Sequence, residues 1–131
     1  MTRAAGAFDV KIVPLALHAA GDPLLGRMSI DKVFHGALAA TGQGEMLSAG
    51  TAVKGSAVYV AIERITGALN GRNGSFVVHH LGVMTRGEGA LTVTMVPDSG
   101  TGELTGITGT IAITIVDGKH FYDVDYQLPE P

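Results

Sequence analysis

Glycine punctuates this chain from end to end. Nineteen of its 131 residues are glycine, and they break the sequence into alternating or apolar runs about ten residues long, such as YVAIERITGAL and TGTIAITIV. Glycine and β-branched residues cost a helix stability but suit a pleated surface with frequent reversals, so the chain reads as all-β. Strands are expected near residues 7–17, 26–39, 44–53, 56–69, 74–86, 88–97, 107–117 and 119–128. Eight such strands predict a closed antiparallel β-barrel with little helix. One helical turn has a place in PLALHAAGDPLLG, residues 14–26, where two prolines limit its length.

The size fits one domain spanning residues 1–131, large enough to remove roughly 65–70% of its unfolded surface from water without staples. There is no cysteine, which excludes disulfides, thiolate metal sites and a thiol nucleophile. Lys and Arg number 9 against 12 Asp and Glu, with no basic run. Nucleic acid is therefore not an expected partner, since that affinity rests on neutralising several phosphates. No apolar stretch reaches the roughly 18–20 residues that a membrane helix needs. Asp9 and Lys11 interrupt the region where a signal peptide would carry its apolar run. A soluble, cytoplasmic protein is expected. Only 16% of residues are charged while 46% are hydrophobic, and this balance predicts apolar surface covered by a second subunit or by a ligand.

Turns fix register, and register decides which side chains share a face. Asp117-Gly118 is a strong two-residue hairpin signal. It sets Val116 opposite Lys119, Ile115 opposite His120, Ile113 opposite Tyr122 and Ile111 opposite Val124, which gives an apolar, aromatic inner face that continues to Tyr126. In ALNGRNGSF, a turn at Gly71-Arg72 or a four-residue loop at 70–73 puts Glu63 opposite His80, Tyr59 opposite Met84 and Gly67 opposite Phe76. A turn at Arg86-Gly87 pairs His80 with Val93 and aligns Leu91, Val93 and Met95 inward. Met28, Ile30, Lys32, Phe34 and Leu38 share another face, and a turn at Thr41-Gly42 brings Leu38 near Glu45. Arg64 and His79 fall on the outer parity.

LGRMSIDKVFHGAL, GEMLSAG, GRNGSF followed by His80, SGTGELTGITG and HFYDVDYQL together resemble an uncharacterised bacterial domain family with an allene-oxide-cyclase-like barrel. The resemblance runs from about Phe8 to Leu128. The run SGTGELTGITG is also similar to the glycine-rich segment of plant allene oxide cyclases and dirigent proteins. The resemblance implies an eight-stranded antiparallel barrel, often oligomeric, with an interior pocket. Its better understood relatives steer cyclisation or coupling of apolar intermediates without metal or organic cofactor. The family pattern matches Lys32, Phe34, Gly36, Glu45, Tyr59, Glu63, Phe76, His80, Gly82, Tyr122 and Tyr126. Ala37, Ala39 and Leu81 depart from it.

Glu63 and His80 form the candidate acid/base pair, a carboxylate orienting an imidazole and raising its basicity; the alternative is a buried polar pair that pins the register. Lys32, Phe34, Glu45, Tyr59, Phe76, Met84, Met95, Tyr122 and Tyr126 are the expected ligand-binding residues. Lys32 has four readings: Schiff-base nucleophile, stabiliser of an enolate, ion-pair partner of a carboxylate such as Glu45, or a side chain that snorkels to the barrel mouth. No metal is assigned: His79 and His80 point to opposite faces, and Glu63, His80 and His120 have no recognised zinc-ligand spacing. SGTGELTG lacks the Gly-Lys-Ser/Thr ending of a phosphate loop and is read as a bulged barrel corner. The expected function is binding of a small apolar molecule, with cofactor-independent proton transfer, isomerisation or cyclisation as the enzymatic form. A non-catalytic binding protein and a structural oligomer with a filled barrel are the alternatives.

Overall fold

The structure is a computed structural model and describes residues 1–130. Eight antiparallel strands form one closed barrel in sequential order. They are β1 (Thr2–Pro14), β2 (Leu25–Gly36), β3 (Leu38–Gly50), β4 (Ala57–Leu69), β5 (Arg72–Thr85), β6 (Glu88–Met95), β7 (Thr108–Val116) and β8 (Lys119–Gln127). Closure is made by β1 on β8, where Thr2 pairs with Tyr126 and Phe8 with His120.

Three hairpins turn on two residues that both hold positive φ: Asn70-Gly71, Arg86-Gly87 and Asp117-Gly118. That geometry follows the right-handed twist of the flanking strands. The last two turns lie where the sequence puts them, and the pairings of His80 with Val93 and of Ile113 with Tyr122 follow. The Asn70-Gly71 turn corrects the expected Gly71-Arg72 position and slides β4 past β5 by two residues. Glu63 consequently pairs with Val78, Tyr59 with Gly82 and Gly67 with Gly74. An even slide keeps every side chain on its expected face.

The reversal between β2 and β3 is a larger correction. It falls at Gly36, with φ of 97°, not at Thr41-Gly42, and Phe34 pairs with Ala40. This register differs from the expected one by an odd number of residues, which exchanges the faces of β3. Residues 26–39 therefore do not form one strand, and Glu45 lies outside. The anticipated helical turn at 14–26 is absent: residues 15–24 form an irregular connection between β1 and β2.

The barrel is plugged at one end. The β6–β7 connection carries a single 3-10 turn, Gly102–Leu104, and drives Leu104 and Ile107 into a core with Leu38, Leu69, Phe76 and Tyr126. SGTGELTG is thus part of a loop that closes this mouth by burying Leu104 while its other residues stay at least partly exposed, and not a bulged corner. Beyond the last rung of β6, the free edge of β5 is satisfied by this loop: the Val77 amide donates to Ser99 Oγ at 3.0 Å, Ser75 to Thr101 Oγ1 at 3.0 Å and Asn73 to Glu103 Oε1 at 3.0 Å. Such partners answer the requirement that strand-edge amides find an acceptor. The β6–β7 seam itself is thin, with Thr94 and Thr110 its one paired position.

Candidate functional site

Alternation on β2, β4 and β5 brings three ionisable side chains to mid-height in the barrel. Lys32, Glu63 and His80 are all buried among otherwise apolar neighbours. Glu63 Oε1 accepts from Lys32 Nζ at 3.0 Å and lies 2.9 Å from His80 Nε2. Burial by itself raises the Glu63 pKa, but the His80 hydrogen bond and the charge and hydrogen bond of Lys32 outweigh it and hold the carboxyl below its ordinary range. An ionised carboxylate only accepts, so the His80 proton resides on Nε2 and Nδ1 carries the lone pair when the ring is neutral. The second carboxylate oxygen, Oε2, is buried without a hydrogen-bond partner. It occupies the space above Gly42, where a Cβ would come within about 2 Å of it. Lys32 is also flanked by aromatic faces, with Nζ 5.0 Å from the centroid of Phe8 and 5.8 Å from that of Phe34, a setting that favours a cation.

Above this layer the interior is not filled. A cavity of about 300 Å³, open at the unplugged end, is lined by Phe8, Val10, Ile12, Ile30, Lys32, Met46, Tyr59, His80, Leu91, Ile113, Ile115 and His120. Glu63 does not reach it. The cavity shares Met46, Tyr59, Leu91 and Ile113 with a wider groove of about 570 Å³ that includes Met84. Tyr59 leans over Gly82, where a Cβ would lie 2.3 Å from the ring. Burial pushes the Tyr59 hydroxyl pKa up, so it remains a donor at neutral pH. No protein group bonds to that hydroxyl among the described residues.

The expected site residues therefore separate into four groups. Lys32, Tyr59 and His80 line the cavity, with Glu63 directly behind two of them. Met84 stands at the mouth. Phe34, Phe76, Met95, Tyr122 and Tyr126 belong to the packed core. The Tyr122 hydroxyl donates to His35 O at 2.7 Å and accepts from the Leu38 amide at 2.8 Å, and Tyr126 Oη accepts from Asn70 Nδ2 at 2.7 Å. Both tyrosines are structural ties. Glu45 leaves the site: it is on the outer face, where it accepts from Arg27 Nε at 2.7 Å. The ion-pair partner of Lys32 is Glu63.

Phe8, Val10, Ile12 and Met46 line the cavity without a sequence signal that marks them, and there is a structural reason. No tight turn sets the register of β1, and the odd register difference of β3 hid Met46. Ile113, Ile115 and His120 were legible as inward but carried no ligand-binding expectation. Among the described residues, no group of three His, Cys, Asp or Glu side chains is placed to hold a metal ion.

Outside the barrel, Arg64 and His79 are exposed as expected. Leu47, Val60, Ile62 and Leu81 make an exposed apolar face across β3, β4 and β5. No helix among the described residues is long and apolar enough to cross a membrane.

The family described as "Protein of unknown function (DUF3224)" matches residues 4–126. No curated protein matches. The crystal structure of a DUF3224-family protein of unknown function from Shewanella oneidensis superposes with a TM-score of 0.94; the two are 53% identical, over 100% of this chain and 99% of the other.

Proposed function

The chain belongs to the DUF3224 family, and from the interior of its barrel we propose that it holds a small, largely apolar molecule and moves a proton on it without a cofactor. The observation that carries this reading is a cavity of about 300 Å³, apolar along its walls, that ends on Lys32 and His80. Pockets of this kind, mostly apolar with a few converging polar groups, are the usual seats of small ligands. His80 is the base, Lys32 steadies negative charge that develops on the bound molecule, and Glu63 orients both from behind. Proton transfer, isomerisation and cyclisation all draw on these elements.

A non-catalytic binding role is the second reading. It is favoured by Glu63 standing behind the cavity lining with Oε1 committed to two protein partners, as in a purely structural ion pair. A wholly filled barrel has less support, since Leu91 and Ile115 face inward but remain 42% and 63% exposed.

Binding of an apolar anilinonaphthalene dye tests the pocket. Wild-type protein should enhance its fluorescence, and Leu91→Arg, which puts a bulky charge on the cavity wall, should abolish the enhancement while leaving the thermal transition in place. Equal enhancement by both proteins would remove the cavity as the binding site.

A further inference from the structure

The cavity floor has a charge balance that discriminates between kinds of polar head. Lys32 and Glu63 form one buried ion pair, and His80 shares the same carboxylate oxygen. Tyr59 and His120 are the other titratable groups along the wall. With neutral histidines this arrangement has no net charge. A ligand carboxylate would bring a second anion next to Glu63 that is met only if a proton is taken up from solvent on a wall histidine, whereas an enolate formed in place delivers that proton to His80 itself; a buried uncompensated charge is costly. A hydrocarbon would leave the remaining Lys32 protons without an acceptor. A neutral carbonyl group meets both conditions: its oxygen accepts from Lys32 and adds no charge.

Lys32 also discriminates between mechanisms. Its ammonium is held against an ionised Glu63 and two aromatic rings, so it donates hydrogen bonds and has no free electron pair with which to form a Schiff base. Within one hydrogen bond of the same Glu63 oxygen stands His80, whose Nε2 proton is engaged and whose Nδ1 has no protein partner among the described residues.

Resting on the pocket reading above, we infer that the ligand is an apolar ketone bound carbonyl-first, with its oxygen on Lys32 and its α-carbon at His80. The α C–H bond breaks, its proton forms an N–H bond on His80 Nδ1, and the electron pair moves onto the carbonyl oxygen as an enolate held by Lys32. Glu63 stabilises the imidazolium through Nε2. Return of a proton to the same or a conjugated carbon completes exchange or isomerisation, with no oxidant or further reactant consumed.

Acetophenone, ethylbenzene and benzoate share a ring and differ in the head, so they test the inference on the protein as it is. Acetophenone should bind about tenfold tighter than either of the others, as expected for one hydrogen bond to a charged donor. In D2O its methyl protons should exchange about a hundredfold faster than in buffer, the range of a positioned general base. His80→Asn should lose the exchange and keep the binding. Lys32→Met should lose the tenfold preference, with folding checked by circular dichroism; the wild-type ranking stands without this variant. If ethylbenzene or benzoate binds as tightly as acetophenone, or if exchange is not accelerated, the ketone inference is overturned while the pocket reading survives. If neither these compounds nor the dye binds, the pocket reading falls, and the inference with it.

Discussion

The two ends of the barrel follow the same alternating pattern and reach opposite outcomes. At the plugged end, Leu38, Leu69 and Phe76 are at most 1% exposed. At the open end the inward residues Leu91, Ile113 and Ile115 line a void. Strand pattern alone does not distinguish them. The difference is supplied by residues outside the strands: the β6–β7 connection folds Leu104 and Ile107 into one mouth, whereas the two-residue turns at Arg86-Gly87 and Asp117-Gly118 put nothing into the other. Alternation tells which way a side chain faces; a plug decides whether that face becomes core or pocket.

The contrast predicts a graded set of stability changes. Phe76→Ala, at the plugged end, should cost about 3–5 kcal/mol in denaturant unfolding, as for a well-packed aromatic. A comparable loss from Ile115→Ala would break the comparison; the expected change there is within about 0.5 kcal/mol. Tyr122→Phe, which strands the buried Leu38 amide, should lose about 1–3 kcal/mol.

The ionic layer between the two ends adds a pH signature. The Glu63 carboxyl is held below its unfolded range, so its contribution to stability is fully present above the ordinary carboxylate pKa and is lost as pH falls through the lower folded value. The unfolding midpoint should therefore drop as pH falls below about 4.3, and Glu63→Gln should flatten that limb. An unchanged acid limb in the variant would show that other groups govern it. The smallest expected effect belongs to Gly82→Ala, which displaces the Tyr59 ring into open space: dye affinity should fall severalfold while the thermal midpoint barely moves. A large loss of stability would mean that Tyr59 is part of the core.

The barrel was legible because its evidence is repeated: glycines space the strands, and two Xaa-Gly turns lock the registers of β5 with β6 and β7 with β8. His80 was legible as inward for the same reason, Glu63 because the two-residue slide of β4 on β5 preserves parity, and Lys32 because it alternates in step with Ile30 and Phe34. Glu45 was not, because the reversal at Gly36 is one glycine among several in that region, and an odd error there inverts a whole strand. The plug escaped detection as well. Burial of Leu104 depends on where a long loop folds back in space, and local alternation carries no record of that. The emptiness above His80 is likewise a property of volume, to which no single residue testifies.

Closing β1 on β8 joins residues 2–8 to residues 120–126, a sequence separation near the maximum this chain allows. Loop entropy is spent before that pairing returns anything, so folding falls among the slow, high-contact-order topologies that take milliseconds to seconds. During synthesis the barrel cannot close until β8 leaves the ribosome, and seven strands must wait with one edge of β1 unsatisfied. Its N-terminal strand is then an aggregation-prone edge in the nascent chain, although the finished molecule has that edge paired.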